Sequence, residues 1–332
     1  MSEKLIKSIY DYIDETSLRE KLNLEKDFKL YFLAQGEYNK NYVLEDPKHK
    51  YVFRVNTGSQ IGVANQIEYE YNALKRLEES GYTPKVHFVD GSKKILDSGI
   101  LVMDFLEGRP LDYKKDLKKA AEIFSRIHSL DIKREDFDYL ITENYIFSDR
   151  MKEAQNLLKN FWDSSFVDKN TKDFFEKFIS WCDNNASMEK YFIENPWKAI
   201  NNTEVNSHNF IIGNERSYLI DWEKPVISDP CQDITQFLAP TTTLWRTDIV
   251  LSPEEIDNFY KVYEQKFPDK NIRERVKMYT PYLYLRALSW CAYAYLEYQN
   301  PNKDIQNPET YKKIKSYLDI DFMSNLLKDW IK

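Results

Sequence analysis

The stretch 202–209 reads Asn-Thr-Glu-Val-Asn-Ser-His-Asn, with a carboxylate at Glu204 and a carboxamide at Asn209. A second carboxylate, Asp221, closes the apolar run Tyr218-Leu219-Ile220 further along. A turn at Gly213-Asn214 between two short strands would bring the loop beside Asp221. Phosphoryl transfer needs an oriented acceptor hydroxyl and a neutralised polyphosphate, usually through Mg²⁺ on hard oxygen ligands. Asn209 and Asp221 are suitable ligands. Glu204 is suited to accept a hydrogen bond from the acceptor hydroxyl and then its proton. The same residues also fit a polar hairpin loop of capping and turn side chains.

Upstream, Arg54 lies mid-strand in Tyr-Val-Phe-Arg-Val, and Glu70 lies on the next helix. A strand cation paired with a helix acid can hold α- and β-phosphates, although an edge arginine and a surface glutamate would look alike. The turn 35–41 has one glycine, Gly36, and with Asn39 could cover phosphates through backbone N–H groups or form only a tight turn. The run 101–105, with Leu101, Met103 and Phe105, suits backbone hydrogen bonds to a purine edge as well as a buried strand.

These groups need rigid elements. Apolar spacing predicts a helix over 4–22, strands at 28–33, 41–45 and 51–55, a helix at 67–77, and strands at 86–89 and 100–103. Beyond Gly108–Pro110 the pattern is helical at 117–128, 151–161, 172–184, 253–266, 273–299 and 308–331, with strand-like runs only in 205–222. The reading is a sheet-rich lobe over 1–106 and a helix-rich lobe over 107–332.

Composition narrows the class. Lys and Arg number 47 against 54 Asp and Glu, a net charge of −7 that argues against a nucleic-acid backbone as the main partner. Three scattered cysteines, without close pairing, suit reduced thiols in the cytoplasm. The charged N-terminal segment does not resemble a signal peptide, and no apolar run reaches the ~20 residues a membrane span needs. Oligomeric state is not legible.

In order, GEYNKNYVL, YVFRV, IEYEYNALKRL, ILVMDFLEGRPL, AEIFSRIHSLDI, NTEVNSHNFII and YLIDWEKPVISDPCQDITQFL resemble the aminoglycoside phosphotransferase and choline kinase family. The resemblance runs from about residue 28 to 240. It implies an α+β, two-lobe protein-kinase-like fold: a small lobe with a five-stranded antiparallel sheet and a larger, mainly helical lobe. It also implies a kinase using Mg²⁺ with ATP or GTP to phosphorylate a small-molecule hydroxyl, on a choline-, ethanolamine- or aminoglycoside-like acceptor.

By position, the resemblance implies that Arg54 is the phosphate-binding cation and Glu70 its partner, with Glu68 as the other candidate. Residues 101–105 form the interlobe hinge, Asn209 and Asp221 are the Mg²⁺ ligands, and Asp233 is a structural carboxylate. The family's His-Gly-Asp becomes Asn202-Thr203-Glu204 here, with the spacing to Asn209 kept. The extra methylene moves the carboxylate by roughly 1 Å, a misplacement that can cost on the order of 10²-fold in rate. An active enzyme is the first reading and a nucleotide-binding, catalytically weak module the second. His128 is expected to hydrogen-bond within the large lobe, and His208 to sit beside the site. For the acceptor, Trp222, Glu223 and Trp245 are the expected contacts, since aromatic faces and carboxylates suit an amine.

Overall fold

The computed structural model describes residues 2–59, 61–300 and 307–331. In chain order the elements begin α1 (Ser2–Glu15), α2 (Leu18–Lys21), β1 (Lys29–Gln35), β2 (Asn39–Glu45), β3 (Lys50–Asn56), α3 (Gln66–Leu77), β4 (Val86–Asp90) and β5 (Gly99–Asp104). Then come α4 (Tyr113–Ile127), α5 (Asp136–Tyr139), α6 (Ile146–Leu157), α7 (Lys169–Asn185), α8 (Lys190–Glu194), β6 (Ala199–Asn201), β7 (Phe210–Ile212), β8 (Ser217–Leu219) and β9 (Val226–Ser228). The last are α9 (Cys231–Leu238), α10 (Pro240–Arg246), α11 (Pro253–Glu264), α12 (Ile272–Glu297), α13 (Pro308–Tyr317) and α14 (Ile320–Leu327).

Two compact units result. The first comprises the described residues up to Leu111 together with Ser129–Ile141 and His208–Val226; the second comprises Asp112–His128, Thr142–Ser207 and the chain from Ile227 onward.

The first unit is built on an antiparallel sheet of order β1-β2-β3-β5-β4. The α+β fold class and its five-stranded sheet are as the sequence implied. β3 is central, so Arg54 sits opposite Asn41 on one side and Leu101 on the other. Ile9, Tyr12, Ile13 and Leu18 of the N-terminal helices cluster with Leu44, Phe53 and Ile100 of the sheet. The Tyr12 hydroxyl fixes this arrangement by donating to Asp90 at 2.8 Å. The single helix expected over 4–22 is instead two, because Ser17 turns left-handed at φ 52°. α3 starts where the Asn65 side chain accepts the Glu68 N–H, and it packs on β4 and β5.

The β7–β8 hairpin belongs to the same unit, with Phe210 opposite Leu219. It is tied to the sheet-rich part by Leu219 N–H to the Tyr82 carbonyl at 2.8 Å and by paired backbone bonds between Arg109 and Ile212.

The second unit is mainly helical. The expected segment 308–331 is broken into α13 and α14 by Asp319, which caps the latter. Pro240 opens helix α10 at its first turn, where a missing N–H does no harm. α12 runs 26 residues straight through Pro281. Among the described residues no helix is long and apolar enough to cross a membrane.

Packing of α1 on the sheet can be tested. Ile13 is fully buried, whereas Tyr10 is 37% exposed. Ile13→Ala should cost ~2–4 kcal/mol and lower the thermal midpoint by several degrees, while Tyr10→Ala should move it little. Equal losses would contradict the placement of α1.

Candidate active site

A cavity of about 330 Å³ opens within the first unit. One wall is apolar, formed by Leu33, Ala34, Val52, Met103, Phe105 and Ile220; its polar lining is Asn41, Arg54, Glu70, Asp104 and Asp221. A cavity with both apolar and charged lining suits a base joined to a polyphosphate.

Arg54 anchors the polar end. Its guanidinium pairs with the Glu70 carboxylate, and its Nε donates to Asn41 Oδ1 at 3.0 Å. Glu68, the other helix candidate, is exposed and only donates its backbone N–H to the Asn65 cap. Glu223 lies 3.9 Å from the same guanidinium. Burial works against the Arg54 charge, but Glu70, Asp221 and Glu223 together hold its pKa above the ordinary value. Glu70 is 1% exposed and its Oε2 has no hydrogen-bond partner. Its carboxyl is pushed up by burial, against the pull of Arg54. Burial, then repulsion from Asp221, pushes Glu223 up to about 7. Three carboxylates therefore face one guanidinium.

The hairpin delivers the oxygen donors. Ile220 N–H donates to the Asn209 carbonyl at 2.7 Å, which carries the pairing one step beyond β7 and β8. The Asn209 carboxamide nitrogen then lies 3.3 Å from Asp221 Oδ2. Asp221 adopts φ 66°, a left-handed conformation that aspartate tolerates better than most residues. A carboxamide oxygen and a carboxylate fit Mg²⁺, which takes one or two protein carboxylates plus phosphate oxygens. Among the described residues no group of three or more His, Cys, Asp or Glu is arranged to hold a metal by itself.

α3 also grips the chain after Asp221. Gln66 Nε2 donates to the Glu223 carbonyl at 2.6 Å, and the Tyr69 hydroxyl bonds the Pro225 carbonyl. Neither residue stands out in sequence, because each acts through the partner's backbone.

Several expected residues fall elsewhere. Trp222 is 1% exposed and its indole donates to the Leu219 carbonyl at 3.1 Å, so it is a core residue and not a cleft wall. Leu101 is fully buried in β5, and the cavity begins two residues later at Met103. The Gly36 N–H closes its own turn onto the Asn39 carbonyl at 2.8 Å and so does not point at a phosphate. Asn39 is 2% exposed; its side chain joins Glu223 to Asn56, fastening the turn instead of lining the cavity. His208 is exposed on the short turn Ser207–Asn209.

The second unit holds Glu204. Thr203 keeps a left-handed φ of 68° at the position where the resembling family has glycine. Such a conformation strains a β-branched residue, and strain of this kind gathers at functional sites. The buried Asp233 carboxylate holds it there, accepting the N–H groups of Asn202 at 2.8 Å and Thr203 at 2.7 Å. His128 lies 3.3 Å from the same carboxylate and 2.9 Å from the Tyr263 hydroxyl, within this unit. Trp245 is half-buried, edge-on to Trp290 with ring centroids 5.5 Å apart.

A profile of the phosphotransferase enzyme family matches residues 29–270. Among solved structures, a choline kinase from Cryptosporidium parvum shares 15% identity at TM-score 0.65, each chain 96% covered. A choline kinase from Streptococcus pneumoniae shares 20% at TM-score 0.58, covering 92% of this chain and 98% of that one. A spectinomycin phosphotransferase solved with ADP and spectinomycin shares 16% at TM-score 0.61, covering 93% and 96%. A comparison with curated proteins found no match. The likeness shows the kinase-like fold.

Removing the central cation should be severe. Arg54→Met leaves the buried Glu70 carboxylate uncompensated and should cost ~3–5 kcal/mol. Adding Glu70→Gln to it should restore part of the lost thermal stability. A single variant as stable as the wild type would contradict the buried pair.

Proposed function

Because this chain belongs to the phosphotransferase enzyme family, we propose that it transfers the γ-phosphate of ATP or GTP to a hydroxyl of a small, amine-bearing acceptor. The observation that carries this is one cavity lined by Arg54, Glu70 and Asp221, with Asn209 directed at Asp221. The nucleotide bound by the spectinomycin phosphotransferase supports a nucleotide co-substrate here. Nothing in the family match or the fold supports the catalytically weak alternative.

The base would lie on the apolar wall beside Met103 and Phe105. Arg54, held rigid by Glu70 and Asn41, would bind the α- and β-phosphates. Asn209 and Asp221 would hold Mg²⁺, which when bound neutralises charge on the transferring phosphate. Glu204 would accept the acceptor's O–H proton while that oxygen forms its bond to the γ-phosphorus. The bond from the γ-phosphorus to the β,γ-bridging oxygen breaks, and the nucleoside diphosphate leaves.

An amine on the acceptor is supported by the second unit. Trp290 and Tyr293 are 40% and 41% exposed, three residues apart on α12 and so on one face. Tyr293 shares an open cavity of about 390 Å³ with Asp149, while Glu153 at the same cavity is paired with Arg150 and Arg286. Exposed rings beside carboxylates attract a quaternary or protonated amine. Trp245, edge-on to Trp290, belongs with this group; Glu223 belongs to the first unit, beside Arg54.

Turnover of Mg·ATP and Mg·GTP with choline, ethanolamine, aminoglycosides and sugars provides the test. Acceptor-dependent release of nucleoside diphosphate is expected with an amine-bearing acceptor, and no acceptor-dependent turnover across the panel would refute the proposal. Asp221→Asn should lower kcat by ~10³-fold with the fold intact. Nucleotide should raise the thermal midpoint with Mg²⁺ present, and EDTA should remove most of that rise.

A further inference from the structure

Position 204 poses a mechanical problem. A glutamate has one more rotatable bond than an aspartate, so its carboxylate can wander unless something outside the loop fixes it. Asp233 fixes only the backbone, at residues 202 and 203. The Asn202 carboxamide oxygen accepts the Glu204 N–H at 3.2 Å, which is again backbone.

The side chain has its own partner. Arg286 of α12 places Nη2 3.6 Å from Glu204 Oε1, with the two side chains 19% and 35% exposed. Arg286 is itself aimed, because its Nε donates to Glu153 Oε1 at 3.1 Å. The other Glu153 oxygen accepts from Arg150 at 2.8 Å, and Arg150 reaches Glu143 at 2.6 Å. Glu143 accepts from Gln232 at 2.8 Å, on the same helix as Asp233. The backbone before Glu204 and the carboxylate at its tip are therefore both referred to α9. One path runs directly through Asp233, the other through alternating acids and arginines.

We infer that Arg286 is a positioning residue that makes a glutamate serviceable at position 204, holding its carboxylate where the acceptor hydroxyl is met. This rests on the reading that Glu204 receives the acceptor's proton. A guanidinium is suited to the task, since its planar fork can serve Glu153 and Glu204 from separate nitrogens. An aspartate at 204 would fall about 1 Å or more short of it, so Arg286 and the longer side chain belong together.

The test is a double-mutant cycle between positions 286 and 204 on the full chain, read in kcat and in KM for nucleotide. Arg286→Gln should lower kcat by ~10- to 100-fold and leave KM for nucleotide within about twofold. Arg286→Lys, which keeps the charge without the fork, should recover part of the loss and serves if the glutamine variant fails to fold. In a Glu204→Asp background the Arg286→Gln effect should shrink to about threefold or less.

An equal loss in both backgrounds overturns the inference, since Arg286 would then act through Glu153 or stability alone. So does an unchanged kcat in Arg286→Gln when Glu204→Ala is inactive, an outcome that leaves the parent reading standing. If Glu204→Ala retains full activity, the parent reading of Glu204 fails and this inference with it.

Discussion

A single buried guanidinium facing three carboxylates organises the first unit. Arg54 emerges from the central strand and meets Glu70 from α3, while Glu223 and Asp221 come from the chain after β8. Desolvation penalises the charges of Arg54, Glu70 and Glu223, and one cation cannot compensate three anions. Burial first, and repulsion from Asp221 after it, hold the Glu70 and Glu223 carboxyls above the usual range. Such a cluster is poised to take up further positive charge. In the proposed site Mg²⁺ would meet that demand, which would also account for the convergence of elements distant in sequence.

The second unit meets a different constraint. A loop that carries the carboxylate proposed to receive the acceptor's proton needs a fixed backbone, yet Thr203 occupies a conformation better suited to glycine. Asp233 stabilises it with two backbone N–H bonds. Asp233 is fully buried on α9, and burial excludes the water that would compete for those bonds. Gln232 beside it begins the chain of polar contacts that ends at Arg286 and Glu204. One short helix thus serves both as floor and as reference point.

Much of this was legible in the sequence. All five strands of the sheet and α3 follow from apolar period, and Arg54, Glu70, Asn209 and Asp221 follow from residue type and spacing. What escaped has physical reasons. α9 buries seven of its eight residues, polar ones included, so it shows no polar face to give it away. α10 begins Pro-Thr-Thr-Thr, residues of low helix propensity that only tertiary packing brings into a helix. Trp222 looked like a cleft residue because it adjoins Asp221, but the left-handed turn at Asp221 precedes a ring packed into the core. Arg286 gave no signal, since its role arises only when α12 and the 202–207 loop meet in space.

The positions of a bound divalent cation and a bound nucleotide are decisive. A crystal of the full chain grown with Mn²⁺ in place of Mg²⁺ and a non-hydrolysable ATP or GTP analogue addresses them directly, because Mn²⁺ announces itself by anomalous scattering. The expected result is an anomalous peak coordinated by the Asn209 carboxamide oxygen and the Asp221 carboxylate, with Arg54 against the phosphates and the base beside Met103 and Phe105. A peak that touches neither Asn209 nor Asp221, or a nucleotide seated outside this cavity, would contradict it.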